Sequence, residues 1–163
     1  INAYSHMAIY LRWCVEHRMM DDVFMDEYGD TLSTEDLRPF IRDVLNGRLD
    51  ASIFNEEGWQ FARYYYNYFG ELGYPHFPSD IDDYALRRFG PERYNSDEFK
   101  TEAYLFIPFD ERYYSDMAEV IDRRHANWMN QEIDPKTREP SELANAMMEY
   151  LGCECEYLSL IHI

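Results

Sequence analysis

The chain has 163 residues, of which 46% are hydrophobic and 17% aromatic, so it holds enough apolar side chains to build a folded domain. Its 32 Asp and Glu residues outnumber 15 Lys and Arg residues, which gives a net charge of -17. A field of this sign repels phosphate backbones and anionic lipids, which argues against nucleic-acid and membrane binding and favours a partner protein with a basic face. The same acidity also serves solubility.

The cysteines indicate neither a disulfide framework nor a zinc site. There are three of them, and Cys153 and Cys155 lack the second pair that a structural zinc site needs. Because no apolar run is long enough to cross a bilayer, these features favour a cytoplasmic protein. The chain begins at Ile1, within a helix-entry pattern, so we expect the natural N-terminus to lie upstream.

The first predicted helix covers residues 4–19 and is apolar on two faces. One stripe contains Tyr4, Met7, Ala8, Leu11, Val15 and Met19, and the other contains His6, Tyr10, Trp13 and His17. A helix with two apolar faces lies between other helices, so we expect this segment to form the centre of the core.

Four further helices follow in the predicted order. They run from Asp21 to Tyr28, from Pro39 to Asn46, from Asn55 to Phe69 and from Ser79 to Arg88. Their boundaries come from N-cap residues, from Pro in a first turn and from Gly at an end. Because the third of these is rich in aromatic residues, we expect it to pack its rings against the first helix.

The second half completes a mainly α fold. Residues 103–107 are either a brief strand or an extended apolar segment, and a long helix spans about residues 110–130. Over residues 1–131 we predict a compact bundle of five to six helices with an aromatic-rich core and at most one or two short strands. Residues 132–157 are predicted to hold a linker, a helix and the start of a truncated following domain. Residues 158–163 resemble a translated sequencing adapter and are excluded from the fold prediction.

Three spaced motifs resemble a known family. Residues 4–13 read Y-S-H-M-A-I-Y-L-R-W, residues 55–65 fit N-x-E-G-x-x-F-A-x-x-Y, and residues 120–124 read V-I-D-R-R before Trp128. Together they resemble an uncharacterised bacterial family, domain of unknown function 7832, over roughly residues 3–130. The resemblance implies a mostly helical fold with no established activity. It also implies a second uncharacterised domain, domain of unknown function 4253, after this one, and the family's usual D-D-A-S-W-H-Y opening is absent here.

Polar side chains embedded in or next to apolar helices are the candidate binding residues. They are His6, Trp13, Glu56, Tyr65, Asp122 and Arg123. His6 and His17 are separated by about 16 Å along one helix, so they cannot share a metal ion. We interpret His6 as a hydrogen-bonded histidine in a semi-buried aromatic setting. Asp122 is interpreted as half of a buried ion pair with an Arg, or as an anchor for a tyrosine hydroxyl.

The remaining acidic groups fit structural roles. Asp80, Asp82 and Asp83 lack the calcium-loop pattern and suit the first turn of a helix, as do Glu56 and Glu57. There is no Gly-rich phosphate loop, no G-x-S-x-G and no H-E-x-x-H motif. We therefore predict no catalytic residue, no metal ligand and no cofactor.

Two hypotheses for the function follow. The first is a non-enzymatic interaction module that docks a partner protein with a basic face, including an immunity-type role in which an acidic protein blocks a toxin. The second is a small-molecule-binding or hydrolytic domain with a pocket around His6, Trp13, Tyr65 and Asp122. Convergence of these four side chains on one open, concave pocket favours the second hypothesis, and a filled core in which each polar atom is paired favours the first.

Overall fold

The computed structural model describes residues 1–34, 36–66 and 76–130. These residues form a mainly α structure, as predicted. Its α-helices are α1 (Ser5–Glu16), α2 (Asp22–Leu32), α3 (Arg38–Asp43), α4 (Glu56–Phe61), α5 (Phe77–Phe89), α6 (Pro91–Tyr94) and α7 (Glu111–Asn130). A π-helical segment, Ala62–Tyr66, continues α4, and short 3-10 helices cover Asn2–Tyr4, Ala51–Ile53 and Ala103–Phe106. One helix more than predicted is present because Pro91 begins α6 directly after Gly90.

The core is built around α1, in which nine of the twelve residues are buried. Its rings pack against α4 and the π-helical segment: the ring centroids are 5.6 Å apart for Trp13 and Phe61, and 4.4 Å apart for Tyr10 and Tyr66. The large rings with almost no exposed area are those of Trp13, Tyr10, Tyr65, Tyr66, Tyr113, Phe61, Phe77 and Phe99. The aromatic-rich core and the packing of the first helix against the helix after Asn55 are therefore confirmed.

Three predicted helix ends are wrong. Helix α3 ends at Asp43 rather than at Asn46, and the ends of the first two helices differ from the prediction for physical reasons. The first helix ends at Glu16 rather than at residue 19 because the chain turns at Arg18, where φ is 58°. The second continues past Tyr28 to Leu32. Its apolar stripe extends to Leu32, which is buried, so packing holds Gly29 inside the helix instead of ending it there.

The start of α4 matches the prediction and adds a tight backbone contact. The side-chain oxygen of Asn55 accepts a hydrogen bond from the Gly58 N–H at 2.8 Å, and its amide nitrogen donates to the Arg18 carbonyl at 2.7 Å. A Cβ atom at Gly58 would lie 2.1 Å from the Met19 carbonyl oxygen. Only glycine fits this approach, so Asn55 and Gly58 together fix α4 against the segment that follows α1.

Two further local predictions are corrected. The helix predicted to open at Ser79 begins at Phe77: His76 is its N-cap, and Ser79 completes a capping box inside the first turn. The predicted strand or extended segment at residues 103–107 is largely a 3-10 helix, Ala103–Phe106. Among the described residues, the one β-type pairing outside a strand is an antiparallel bridge between Met20 and Phe54.

Some predictions fall on residues that the structure does not describe. These are the predicted helix end at Phe69, the linker and helix of residues 132–157, and residues 158–163. Within the described ranges, no helix combines the length and the hydrophobicity needed to cross a bilayer.

Candidate functional site

Trp13 and Asp122, both predicted site residues, are in direct contact. Trp13 lies on α1 and has no exposed area, while Asp122 lies on α7 with 56% of its side chain exposed. The indole Nε1–H donates a hydrogen bond to Asp122 Oδ1 at 2.9 Å. The indole thus buries its ring and satisfies its N–H at the surface, which joins α1 to α7.

His17 completes this contact at the end of α1. Its ring stacks on Trp13 with centroids 4.0 Å apart. Its Nδ1 lies 2.8 Å from the Trp13 carbonyl oxygen and its Nε2 lies 3.3 Å from Asp122 Oδ1. Both ring nitrogens therefore face acceptors within the protein.

His125 and Phe61 extend the aromatic contacts around Trp13. The centroid of His125 lies 5.4 Å from that of Trp13 and 4.9 Å from that of Phe61, in edge-on geometry in both cases. Burial lowers the pKa of His125, and the nearby carboxylate of Glu57 opposes that shift. We call Trp13, His17, Asp122 and His125 the indole cluster.

Tyr65 belongs to a separate group around a buried carboxylate. Asp80 is 5% exposed and accepts hydrogen bonds from the Tyr65 hydroxyl at 2.7 Å and from Arg124 Nε and Nη2 at 2.9 Å each. The prediction that Asp122 forms a buried ion pair is therefore wrong: Asp80 forms it, with Arg124. Asp80 is also the carboxylate in the first turn of α5, as predicted. Because Asp80 lies on α5, Tyr65 after α4 and Arg124 on α7, the group ties three segments together.

His6 differs from the predicted setting. It is 4% exposed, and its ring meets Tyr104 edge-on with centroids 5.6 Å apart, so the aromatic environment is confirmed. Among the described residues, however, neither ring nitrogen has a hydrogen-bond partner, so the predicted hydrogen bond is wrong. Burial lowers the pKa of His6 to about 4, because the imidazolium form loses its hydration there.

The last two predicted residues, Glu56 and Arg123, are exposed. Glu56 occupies the first turn of α4, where a carboxylate complements the helix dipole. Arg123 lies beside Asp122 in sequence but is not among the groups that contact the Trp13 indole. The predicted residues thus divide into the indole cluster, the Asp80 group, buried His6 and two surface positions.

A groove that the sequence analysis did not predict lies on the other side of α1. It has a volume of about 430 Å³, and Ala8 and Ile9 lie along it. Two arginines flank it: the guanidinium carbon of Arg12 lies 3.7 Å from the ring centroid of Tyr114, and that of Arg38 lies 4.0 Å from the centroid of Phe109. We call this feature the arginine groove; its remaining lining residues are Asp36, Asp110 and Glu111.

Carboxylates hold both arginines of the groove in place. Arg12 donates from Nη1 and Nη2 to the two oxygens of Glu111 at 2.9 and 2.8 Å. Arg38 donates from Nε and Nη2 to the two oxygens of Asp36 at 2.9 Å each. Arg12 and Glu111 are 99 positions apart in the sequence. The one local signal of the groove was a charged residue at position 12, between the buried Leu11 and Trp13 of α1.

No metal centre is formed in residues 1–34, 36–66 and 76–130: no three His, Cys, Asp or Glu side chains are grouped there in a way that would hold an ion. Cys14, the cysteine of these ranges, is free and buried, and burial raises the pKa of its thiol.

A family model described as Domain of unknown function (DUF7832) matches residues 1–98. The chain belongs to this family. No curated protein and no solved structure matches it. Two of the three motifs lie within the DUF7832 match, and the third, at residues 120–128, lies beyond it.

The second DUF7832 motif has a structural explanation in this chain. Asn55 caps α4, Gly58 permits the approach to Met19, and Phe61 packs on Trp13. Tyr65, the last residue of the motif, donates its hydroxyl to Asp80. The spacing of the motif therefore positions α4 and its continuation in the core.

Proposed function

We propose that this chain is a non-enzymatic protein-interaction module that docks a cationic partner, with α2 as the contact surface. The surface consists of Asp22, Val23, Asp26, Glu27 and Asp30, which we call the acidic face of α2. At 100° per residue these positions fall within an arc of about 140° on the helix. All five are exposed, so one side of α2 presents four carboxylates and one apolar side chain to solvent.

The charges of this face are not balanced within the described structure. No Lys or Arg occurs between Arg18 and Arg38 in the sequence. Among the described residues, none of the four carboxylates takes part in an ion pair. Asp22, Asp26 and Asp30 follow at intervals of four, an arrangement in which like charges repel along a helix. A basic partner would relieve this repulsion.

Val23 adds an apolar contact within the charged face, between Asp30 and Glu27. It is 72% exposed, the highest value among the large hydrophobic side chains that the structure describes as exposed. An apolar side chain surrounded by charges is typical of a contact that combines hydrophobic burial with electrostatic selection of the partner. We therefore expect a partner segment with basic and apolar residues on one face.

Two polar groups that are engaged by the protein itself, at His17 and at Asp80, support a non-enzymatic role, although the buried nitrogens of His6 and the hydroxyls of Tyr66 and Tyr113 have no partner among the described residues. Both nitrogens of His17 face acceptors of the protein, and Asp80 accepts three hydrogen bonds. The alternative pocket around His6, Trp13, Tyr65 and Asp122 gains no support from the contacts, because only Trp13 and Asp122 of these four meet directly. The net charge of -17 further supports an electrostatic partner.

A charge-reversal pair tests the surface. The probe is an amphipathic Lys/Leu helical peptide, with a Glu/Leu peptide of the same length as the negative probe. We expect the D26K/D30K variant to bind the Lys/Leu peptide at least about tenfold more weakly than the wild type in calorimetric titration at low salt. The E92K/D97K variant changes the net charge equally at exposed positions outside α2 and is the control. Equal weakening by both variants would show that net charge alone acts and would overturn the assignment to α2.

The immunity-type role is the specific form of this proposal, and its natural probe is the product of the adjacent gene. We expect the wild-type chain to restore growth when that product is toxic, E92K/D97K to restore it equally, and D26K/D30K to fail. Absence of saturable binding between the wild-type chain and that product would contradict the immunity-type role.

A further inference from the structure

The arginine groove has no part in the proposed contact through α2, and its chemistry points to a different ligand. Its volume of about 430 Å³ falls within the range of small-molecule sites. It combines the edges of the apolar side chains of Ala8 and Ile9, each 2% exposed, with two guanidinium groups and three carboxylates. Arginine is the side chain best suited to bind carboxylates, because its planar fork matches the two oxygens of the anion.

Both guanidinium groups are held in position before any ligand arrives. Arg12 is stacked on Tyr114 and Arg38 on Phe109, and their side chains are 26% and 17% exposed. A side chain fixed in this way loses little further conformational freedom on binding. Each guanidinium has five N–H groups. Contacts with described residues engage three of them in Arg12 and three in Arg38.

The two arginines differ in how firmly their carboxylate partners are held. Asp36 accepts from the Arg38 backbone N–H at 3.0 Å as well as from its guanidinium, so this pair belongs to the local turn. Glu111 contacts Arg12 through its side chain alone and is 70% exposed. An exposed ion pair of this kind contributes little to stability, so a competing carboxylate can replace Glu111 easily.

We propose that the arginine groove binds a small aliphatic dicarboxylate, with Glu111 occupying the fork of Arg12 when the ligand is absent. One carboxylate of the ligand accepts two hydrogen bonds from the guanidinium of Arg12, in place of Glu111. The other carboxylate accepts hydrogen bonds from the remaining N–H groups of Arg38. The methylene carbons between them contact Ala8 and Ile9. The three carboxylates of the groove, Asp36, Asp110 and Glu111, outnumber its two arginines, so the ligand binds by displacing Glu111 from Arg12. Exposed charges more than about 10 Å away are largely screened at 0.1 M salt.

Succinate is the probe, and Glu111→Gln is the informative variant. Removing the internal carboxylate should tighten succinate binding at least about threefold, because the ligand no longer competes with a charged group for Arg12. Arg12→Lys keeps the positive charge and loses the fork, so we expect binding at least about tenfold weaker than in the wild type. Binding is measured by calorimetry and by NMR of the Arg12 and Arg38 Nε–H signals.

Arg93→Lys is the matched control. Arg93 also lies near aromatic rings, those of Phe89 and Phe99, and also pairs with a carboxylate, Glu98, but it is not part of the groove. Its substitution should leave succinate binding unchanged. Thermal unfolding of each variant verifies that it is folded.

The proposal is overturned by no saturable binding of succinate to Glu111→Gln, by an equal loss on Arg93→Lys, by unchanged affinity on Arg12→Lys, or by equal binding of inorganic phosphate and acetate. Equal binding of phosphate and acetate would show that the guanidinium groups bind any oxyanion. Tighter binding of an acidic peptide than of succinate would show that the carboxylates belong to a macromolecule, and would also overturn the proposal for a free dicarboxylate. None of these results depends on the acidic face of α2, so this proposal and the proposed function fail independently.

Discussion

Helices α2 and α4 begin with the same local signals but lie in different environments, one partly in solvent and the other in the core. Asp21 caps α2 by accepting from the Phe24 N–H at 3.0 Å, and Asn55 caps α4 by accepting from the Gly58 N–H at 2.8 Å. Each helix has acidic residues in its first turn and contains one glycine. Yet α4 leads into the aromatic core, whereas α2 keeps one side in solvent.

The contrast shows where the constraints on this fold originate. A Cβ atom added at Gly58 would lie nearest to the Met19 carbonyl oxygen. A Cβ atom added at Gly29 would lie nearest to the end of the flexible Met25 side chain, 3.9 Å away. Tertiary contacts therefore dictate the residues of α4, and the exposed side of α2 is free of such contacts. Residues on a surface that makes no tertiary contacts can serve binding with little effect on the stability of the fold.

The largest expected effect comes from a single methyl group in α4. Gly58→Ala places a Cβ atom 2.1 Å from the Met19 carbonyl oxygen and 2.9 Å from Met19 Cβ, so backbone must move to accommodate it. We expect a loss of at least about 3 kcal/mol in the free energy of unfolding, measured by urea denaturation. A loss below about 1 kcal/mol would show that α4 is not fixed against the chain after α1.

A second large effect concerns His6, whose two buried ring nitrogens have no hydrogen-bond partner among the described residues, as is also the case for the buried hydroxyls of Tyr66 and Tyr113. Burial holds its pKa at about 4, against 6.5 when exposed, so the unfolded chain binds a proton more readily than the folded chain does. Stability is therefore lost as the pH falls from about 6.5 to about 4, by up to about 3 kcal/mol from this group. Above pH 6.5 the group is neutral in both states and has no such effect.

The His6→Leu variant isolates this contribution. Carboxylates and the other histidines titrate in both proteins, so the difference between the two curves of unfolding free energy against pH reports on His6. As the pH falls, we expect the unfolding free energy of the variant to rise relative to that of the wild type. At pH 7 the two values should be nearly equal, because an unpaired polar group is replaced by an apolar one of similar volume. Parallel curves would refute the buried, unpaired state of His6.

A third effect, of intermediate size, tests the Asp80 group. Tyr65→Phe removes a hydroxyl that donates to a buried carboxylate at 2.7 Å, and we expect a loss of about 2 kcal/mol in unfolding free energy. The matched control is Tyr94→Phe, whose hydroxyl donates to Asp82 at the surface. Its removal should change stability by less than about 0.5 kcal/mol. Equal effects of the two substitutions would mean that burial does not strengthen the contact with Asp80.

The sequence predicted those parts of the fold that local patterns determine. The burial of α1 up to Cys14, the cap at Asn55 and the extent of α7 depend on residues within one helix, and the structure confirms them, whereas His17 and Met19 of the predicted stripes lie beyond the end of α1 and His17 is exposed. The end of α2 was not predictable from Gly29 alone, because the burial of Leu32 decides it. Likewise, Ser79 signals a helix start, but the cap is His76, a residue that seldom serves in this position.

The candidate site was less predictable because it depends on long-range pairing. The sequence indicated that Asp122 has an important partner, and the structure supplies the indole of Trp13 rather than an arginine. Asp80 and Arg124 are 44 positions apart, and their pairing follows from how α5 and α7 pack. The arginine groove likewise requires Arg12, Arg38 and Glu111 from three distant segments. Single-helix periodicity contains no information on such pairings.

The smallest expected effect is that of a substitution in α2, which should increase the unfolding free energy rather than lower it. Gly29→Ala meets only the end of the Met25 side chain at ordinary contact distance, and Gly29 has no positive φ that would strain a side chain. Because alanine restricts the unfolded chain and favours the helix, we expect a gain of about 0.5–1 kcal/mol in unfolding free energy. The same substitution is thus destabilising in α4 and stabilising in α2. If Gly29→Ala also destabilises the protein, the end of α2 is constrained by contacts beyond Met25. In that case α2 does not differ from α4 in its freedom from tertiary contacts.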